Sequence, residues 1–312
     1  FDVGKILTCG GAPFYDNGLA TNNAYIIDIN GGIGGVTVTR TGSMNNNRTL
    51  HNSVVLPTGE ILTVGGQAES RIFSDRESVF EAEIWSPLTG EWTRLAEMSV
   101  PRNYHSVLVL MKDGRVWTAG SGLCGVCTTN HPDYQILTPP YLLNDDGTES
   151  QRPVIVSAPE TIELVDDPSI EIQEIRVKMD KDRPHTFSLV RLGAVTHSVN
   201  NDARRVPLQV LTQGLTTTLA VPSDRNILVP GTYFLFAMNR AGVPSIAESV
   251  SVQGLDQGPY ESPTAAPVPT VSPTLARENW CWDECEVEQG DTWMCRFEYG
   301  CEGCEAVGEV CD

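Results

Sequence analysis

The sequence predicts an all-β protein of two large units and a small cysteine-rich tail, and three observations carry the prediction. Short apolar runs ending in glycine recur at a fixed interval: "GKILTCGG" (4–11), "GEILTVGG" (59–66) and "GRVWTAGSG" (114–122) open on Gly4, Gly59 and Gly114, about 55 residues apart. From about residue 151 that period vanishes, and new strand-like runs follow, separated by Pro, Gly and Asp turns. Six of the nine cysteines then fall within 281–311.

Each repeat reads as apolar strands, a polar turn, another strand and a Gly-Gly stop, at a spacing typical of one propeller blade. "RTLHNSVVLPTG" (48–59) aligns with "RNYHSVLVLMKDG" (102–114), which sets His51 and His105 at one repeat position. "EIWSPLTGEWTRL" (83–95) adds two tryptophans across a Gly turn. Residues 1–150 are therefore expected to form blades of a kelch-type β-propeller. A ring needs about four to eight blades, so these are expected to be its C-terminal ones, with the remainder N-terminal to Phe1. A β-sandwich with accidental glycine ends is the alternative, and the regular spacing weighs against it.

The runs "PVIVSA", "IEIQEIRVKM", "HTFSLVRL", "VPLQVLT", "TTTLAVP" and "TYFLFAMN" lack helical periodicity and suggest an immunoglobulin-like β-sandwich over 151–253. Residues 254–278, with "GPYESPTAAPVPTVSPT", read as an extended Pro/Thr-rich linker. Residues 279–312 read as a small disulfide module, too short to bury an adequate apolar core without cross-links. From 280 onward it holds ten carboxylates against Arg296 alone, among Trp280, Trp282, Trp293, Phe297 and Tyr299. A disulfide-stapled spacer is the plain reading of it; a carbohydrate anchor stacking sugars on exposed rings is the sharper one.

A net charge of −19 and a pI near 4.6 argue against nucleic-acid partners, which demand clustered Lys and Arg. The same charge disfavours anionic membranes, and no apolar run approaches the ~20 residues of a spanning helix. The cysteine-rich tail and the Thr/Pro linker point to an oxidising, extracellular location. Cys9, in an apolar run, reads as core.

The chemistry concentrates around "VPRNYHSVLVLMKDGRVWTAGSGLCGVC" (100–127). Tyr104 and His105 stand side by side at the head of an apolar strand. Strand neighbours point to opposite faces, so a core could hide only one of them. Tyr104 replaces Leu50 of the preceding repeat, which puts a polar group near the axis. Cys124 and Cys127 share a short loop after that strand. A zinc site would want four ligands and no second cysteine pair is close, so a local disulfide is the better reading. His197 lies in a polar loop, "RLGAVTHSVNNDARRVPLQV" (191–210). Read alone, His105 could be a blade feature and His197 an idle loop histidine.

Together, "RNYHSVLVLMKDGRVWTAGSGLCGVCTTNHPDYQILTPPYL", "RLGAVTHSVNNDARRVPL" and "AGVPSIAESV" resemble the C-terminal half of the copper-radical oxidases, the family of galactose oxidase and glyoxal oxidase. The resemblance runs from about residue 3 to 253. It implies a seven-bladed propeller with copper near its axis and a sandwich loop that delivers a further ligand. On that basis Tyr104 resembles the axial tyrosine, which also takes the substrate proton; His105 resembles the adjacent equatorial histidine, and His197 the histidine from the sandwich. Tyr15 and Phe73 resemble pocket-rim positions. Asp16 departs from the glutamine of galactose oxidase, which puts galactose in doubt as the substrate. The Tyr–Cys thioether radical of the family is expected upstream of Phe1.

The implied activity is oxidation of a primary alcohol or hydrated aldehyde by O2, giving H2O2, in a secreted monomer. The competing class is a non-catalytic extracellular carbohydrate-binding protein on the same scaffold. Upstream residues decide between them: a Cys and a Tyr in the preceding blades support the oxidase.

Overall fold

The computed structural model describes residues 1–122, 124–165, 170–197, 199–200, 202–254, 281–288 and 292–298. It forms two compact units, Phe1–Gln257 and Gly258–Asp312. The first is all-β apart from one 3-10 turn, Pro140–Leu142. In the second, Cys281–Glu288 and Thr292–Glu298 pair as an antiparallel hairpin. The expected disulfide framework, linker and carbohydrate-facing rings lie outside the described residues or side chains.

Three antiparallel sheets make up the repeating part. β1 (Lys5–Cys9), β2 (Ala24–Asp28) and β3 (Thr37–Arg40) form the first. β4 (Thr49–Val55), β5 (Ile61–Gln67), β6 (Glu81–Trp85) and β7 (Trp92–Glu97) form the second. β8 (Val107–Leu110), β9 (Val116–Ala119) and β10 (Tyr134–Leu137) form the third. The recurrent segments are β1, β5 and β9.

The glycine pairs do more than stop a strand: β1 and β9 end just before Gly10 and Gly120, whereas β5 runs through Gly65 and Gly66. They are joints between blades. Gly66 N donates to Arg102 O at 2.9 Å, and a Cβ on Gly65 (φ +70°) would stand 1.9 Å from that oxygen. One repeat earlier, Gly11 N donates to Arg48 O at 2.9 Å, and a Cβ on Gly10 would stand 2.4 Å from it. Each pair thus accepts the backbone of the next blade, an approach that only glycine permits. The arginines reciprocate: Arg48 Nη1 donates to Gly65 O and Arg102 Nη1 to Gly120 O, both at 2.9 Å.

Trp85 and Trp92 are cross-strand partners, and both bury. Their indole N–H groups donate to Thr41 Oγ1 at 3.2 Å and Gly42 O at 2.8 Å, pinning the loop from the preceding sheet. Buried indoles require such partners, which explains two tryptophans across one turn.

The register corrects the repeat alignment. Val55 pairs with Ile61 and Leu110 with Val116, so Val55 and Leu110 are equivalent. Counting back five residues equates Leu50 with His105, and His51 with Ser106. Leu50 and His105 also share left-handed backbone, φ 55° and 65°. His51 and His105 therefore do not occupy one position. The third repeat has one extra residue between Arg102 and its strand, and that insertion is what brings Tyr104 and His105 to the strand head together.

The sandwich contains β11 (Ile155–Ser157), β12 (Thr161–Glu163), β13 (Ile172–Met179) and β14 (Thr186–Arg191), then the short hairpin β15 (Val195–Thr196) and β16 (Val199–Asn200). β17 (Arg205–Thr212), β18 (Thr216–Pro222), β19 (Gly231–Met238) and β20 (Glu248–Gln253) complete it. The strand order is β11-β13-β18-β17-β14-β19-β20-β12. β17 joins the two faces, pairing with β14 through its first half and with β18 through its second. Alternate residues of these strands fill one core around Phe187, Leu189, Leu219, Tyr233 and Leu235, which are all at most 1% exposed.

A second core is shared between repeats and sandwich, with Trp85 and Trp92 meeting Val190, Phe236 and Met238. Ser188 Oγ and Arg205 Nε both donate to Pro57 O, at 2.9 and 2.8 Å. Such a dry, hydrogen-bonded seam fixes how the sandwich sits on the blades, and so where its loops reach.

Candidate metal centre

β14 ends and β17 begins at the base of a loop, 192–204, whose tip is the β15–β16 hairpin. Arg191 Nε meets Asp202 Oδ2 at 2.6 Å and its Nη1 donates to Val229 O at 3.3 Å, so an ion pair clasps the loop at its base. A small cavity of about 210 Å³ lies where Arg191, Gly193 and Asn200 face Val54, Val55, Val109 and Leu110. The hairpin thus lies along the inner strands β4 and β8 and carries His197 toward the axis.

There His197 meets Tyr104 and His105. Ring centroids are 4.8 Å apart for His105–His197, 3.8 Å for Tyr104–His105 and 5.8 Å for Tyr104–His197. Tyr104 and His105 are not in the strand, which starts at Val107; they occupy a turn closed by Ser106 N donating to Asn103 O at 3.0 Å. The left-handed φ of His105 breaks strand alternation, so both neighbours turn to one side. His197 (φ 49°) and Phe73 (φ 56°) share that conformation. It costs a non-glycine residue about 1–2 kcal/mol, a strain that gathers at functional sites.

The donor set fits a metal. His105 Nδ1 donates to Gly122 O at 2.7 Å, which fixes the tautomer and leaves Nε2 with its lone pair. His197 Nδ1 engages Thr196 Oγ1 at 2.7 Å, a contact that orients its ring. Two imidazoles bound at about 2.0–2.1 Å at right angles on one ion would set their centroids roughly 4.5 Å apart, against the 4.8 Å observed. Two imidazoles with a phenolate match the N/O preference of Cu(II). Among the described residues no group of three or more His, Cys, Asp or Glu could hold a metal ion, so tyrosine is essential to this one.

The rim is aromatic. Tyr15 and Phe73 pack edge-on against Tyr104, centroids 5.5 and 5.4 Å away. The Tyr15 phenol is pushed above its usual range, first by desolvation and then by the Tyr104 hydroxyl beside it. Asp16 is exposed, its carboxylate accepting from Asn17 Nδ2 at 3.0 Å. Among the described residues it makes no hydrogen bond to the cluster.

Cys124 and Cys127 stand at disulfide distance, Cα atoms 5.9 Å apart. Their loop is tied to that of Phe73: Thr129 Oγ1 donates to Phe73 O at 3.2 Å, and His131 Nε2 meets Asp75 Oδ2 at 2.9 Å. These ties, the Arg191 clasp and the Gly122 carbonyl carry no sequence signal. Burial pushes the Cys9 thiol up to about 11. Alkylation of the native protein at pH 8 should spare Cys9, and denaturation without reductant should expose it while 124 and 127 stay blocked. Two alkylated sites mapped to 124 and 127 would refute the disulfide.

His51 lies along the axial cavity of about 570 Å³ that Tyr15 and His197 also line, but it faces Cys9 Sγ at 3.7 Å rather than the cluster. His185 is buried beside Phe187 in the sandwich. Burial, followed by the charge of Arg48, pushes the His51 imidazole from 6.5 down to about 3. The unfolded chain then binds the extra proton. His51 favours the fold fully above about pH 6.5, and this contribution is lost as pH falls toward 3. The drop in urea midpoint between pH 7 and 5 should be smaller in His51→Gln; equal drops would contradict this.

Kelch blades thus seat a sandwich whose loop completes a Tyr-His-His cluster. Residues 152–252 match the galactose oxidase-like early set domain, and residues 48–99 match the kelch motif. The galactose oxidase of Gibberella zeae is 41% identical over 252 residues, covering 80% of this chain and 36% of that protein. The aldehyde oxidase GLOX1 of Arabidopsis thaliana is 27% identical over 240 residues, covering 69% and 37%. The solved structure of a novel fungal alcohol oxidase of the AA5 family, in complex with copper, superposes with a TM-score of 0.76 at 39% identity, over 80% of this chain and 52% of that one. The chain belongs to the galactose oxidase and glyoxal oxidase family. It spans about a third of the length of the curated relatives it matches.

Proposed function

We propose that the intact protein is a secreted, monomeric copper-radical oxidase that converts a primary alcohol or hydrated aldehyde and O2 to the aldehyde or acid and H2O2. The observation that carries this reading is the convergence of Tyr104, His105 and His197, the two histidines 92 residues apart in sequence and each with Nδ1 engaged by a neighbour. Copper held by these three side chains would supply one-electron redox chemistry, with a Tyr–Cys radical expected upstream of Phe1.

The chain's own residues account for the acid–base and positioning work. Tyr104, as phenolate, accepts the proton of the substrate hydroxyl. Tyr15, kept protonated by its raised pKa, donates toward that oxygen and steadies its charge. Phe73 and Tyr15 wall the opening with rings, which favours substrates carrying an apolar or aromatic face. Asp16, a carboxylate at the rim, disfavours anionic aldehydes such as glyoxylate. The relatives, named as galactose, aldehyde and alcohol oxidases, support the reaction class. The test is H2O2 release by the full-length, copper-loaded protein across neutral alcohols, sugars and aldehydes. Copper binding without H2O2 from any of them would leave the carbohydrate-binding alternative standing.

A further inference from the structure

Three consecutive asparagines, Asn45, Asn46 and Asn47, lead from the first sheet into β4, and their side chains part company. Asn45 Nδ2 donates to Glu83 Oε2 at 2.8 Å, and Asn46 Nδ2 donates to Glu81 Oε2 at 2.7 Å. Both amides are committed to buried or half-buried carboxylates of β6. Asn47 is exposed, and among the described residues its side chain has no hydrogen-bond partner. Asn47-Arg48-Thr49 is also the sequence's one Asn-X-Ser/Thr tripeptide, with no proline at the middle position. The one free amide of the three is the one in an acceptor context.

We propose that Asn47 is an N-glycosylation site. The donor class is a lipid diphosphate-linked oligosaccharide. Asn47 Nδ2 attacks the anomeric carbon of its first sugar; the N–C bond forms, the C–O bond to the diphosphate breaks, the amide gives up one proton and the lipid diphosphate leaves. No oxidant or reductant is needed. Thr49 is buried in the fold, but the acceptor is read in the emerging chain, before β4 pairs. What the fold must tolerate is the product, and an exposed, unbonded amide tolerates it. At Asn45 or Asn46 a glycan would break the hydrogen bonds to Glu83 or Glu81.

The position has a consequence for the site. Asn47 lies three residues ahead of Leu50, the repeat equivalent of His105 and a wall residue of the axial cavity. β4 and β8 begin at the same end of their blades, so the glycan stands at the end where Tyr104 and His105 stand. It would keep that acidic, aromatic-rimmed end from self-association without entering the blade joint.

This inference rests on the secretory route proposed above. The test is expression of the full-length protein in a eukaryotic secretory host, enzymatic deglycosylation in heavy-oxygen water, and peptide mapping. The expected result is heavy aspartate at position 47 and a gel-mobility shift on deglycosylation that shrinks in Asn47→Gln, with copper binding unchanged in that variant. An unmodified Asn47 peptide overturns the inference. If that peptide comes from protein in the medium, secretion stands and only this inference fails; if the protein is also retained in the cell, both fail.

Discussion

Replacing His197 by alanine is expected to lower Cu(II) affinity of the intact protein by 100-fold or more while leaving its unfolding midpoint unchanged. Changing even the group that orients a metal-bound histidine typically costs 10–100-fold, so removal of the ligand itself sets that range as a floor. Stability should hold because His197 is exposed, sits at a hairpin tip and bonds only its neighbour Thr196; surface substitutions of this kind stay within about 0.5 kcal/mol. His105→Ala should lose the metal equally. His51→Gln should not, although His51 lines the same cavity. A competition titration with a chelator of known affinity, read by electron paramagnetic resonance, separates these cases. Equal affinity in wild type and His197→Ala would refute the assignment, whatever the activity.

Why His51 and His105 are so easily confused in the sequence is instructive. The glycines recur at 55 residues, but the arginines Arg48 and Arg102 recur at 54. Aligning on the arginine equates the two histidines; aligning on the glycines equates His51 with Ser106, as the strand register does. The one-residue discrepancy was visible, and it marks the insertion that builds the site. Periodicity and turn residues also make the blades and most sandwich strands legible: burial alternates along β13, and β5, buried throughout, reads as a short apolar run that ends in glycines. The glycine pairs were legible as features but not as joints, since the oxygen that Gly65 or Gly10 accommodates belongs to a residue far along the chain, Arg102 or Arg48.

The cluster itself was legible only through family resemblance. Nothing local ties His197 to Tyr104; their meeting depends on the angle at which the sandwich seats on Pro57 and the shared tryptophan core. The Arg191–Asp202 clasp and the Thr129–Phe73 tie are side-chain events between segments far apart or irregular, where neither period nor propensity speaks.

The second large effect concerns the joint between blades. Glu83→Ala is expected to cost about 3–5 kcal/mol of unfolding free energy, the usual penalty for breaking a buried ion pair by removing one partner. Both side chains of the pair Arg48–Glu83 are fully buried, with Nη2 and Oε1 2.7 Å apart. Glu83 also accepts from Asn45 N at 2.6 Å and Asn46 N at 3.1 Å, so its loss orphans two backbone donors as well as the guanidinium. Burial alone would push the Glu83 carboxyl up, but these hydrogen bonds and Arg48 reverse that and hold it below the usual range. Its contribution is therefore present above the unfolded pKa and lost as pH falls through the lower folded one. Urea unfolding at pH 7 measures the cost, and a loss below 1 kcal/mol would show the pair to be dispensable. The double variant Arg48→Met, Glu83→Gln should recover part of it, because an uncharged pair leaves no unpaired charge buried. It should not recover all. Arg48 Nη1 still holds Gly65 O in the wild type, and the Arg48 carbonyl to which Gly11 N donates is positioned by that same anchored side chain. Loosening it frees the first blade from the second, and with them the cavity wall at Leu50 and Tyr15.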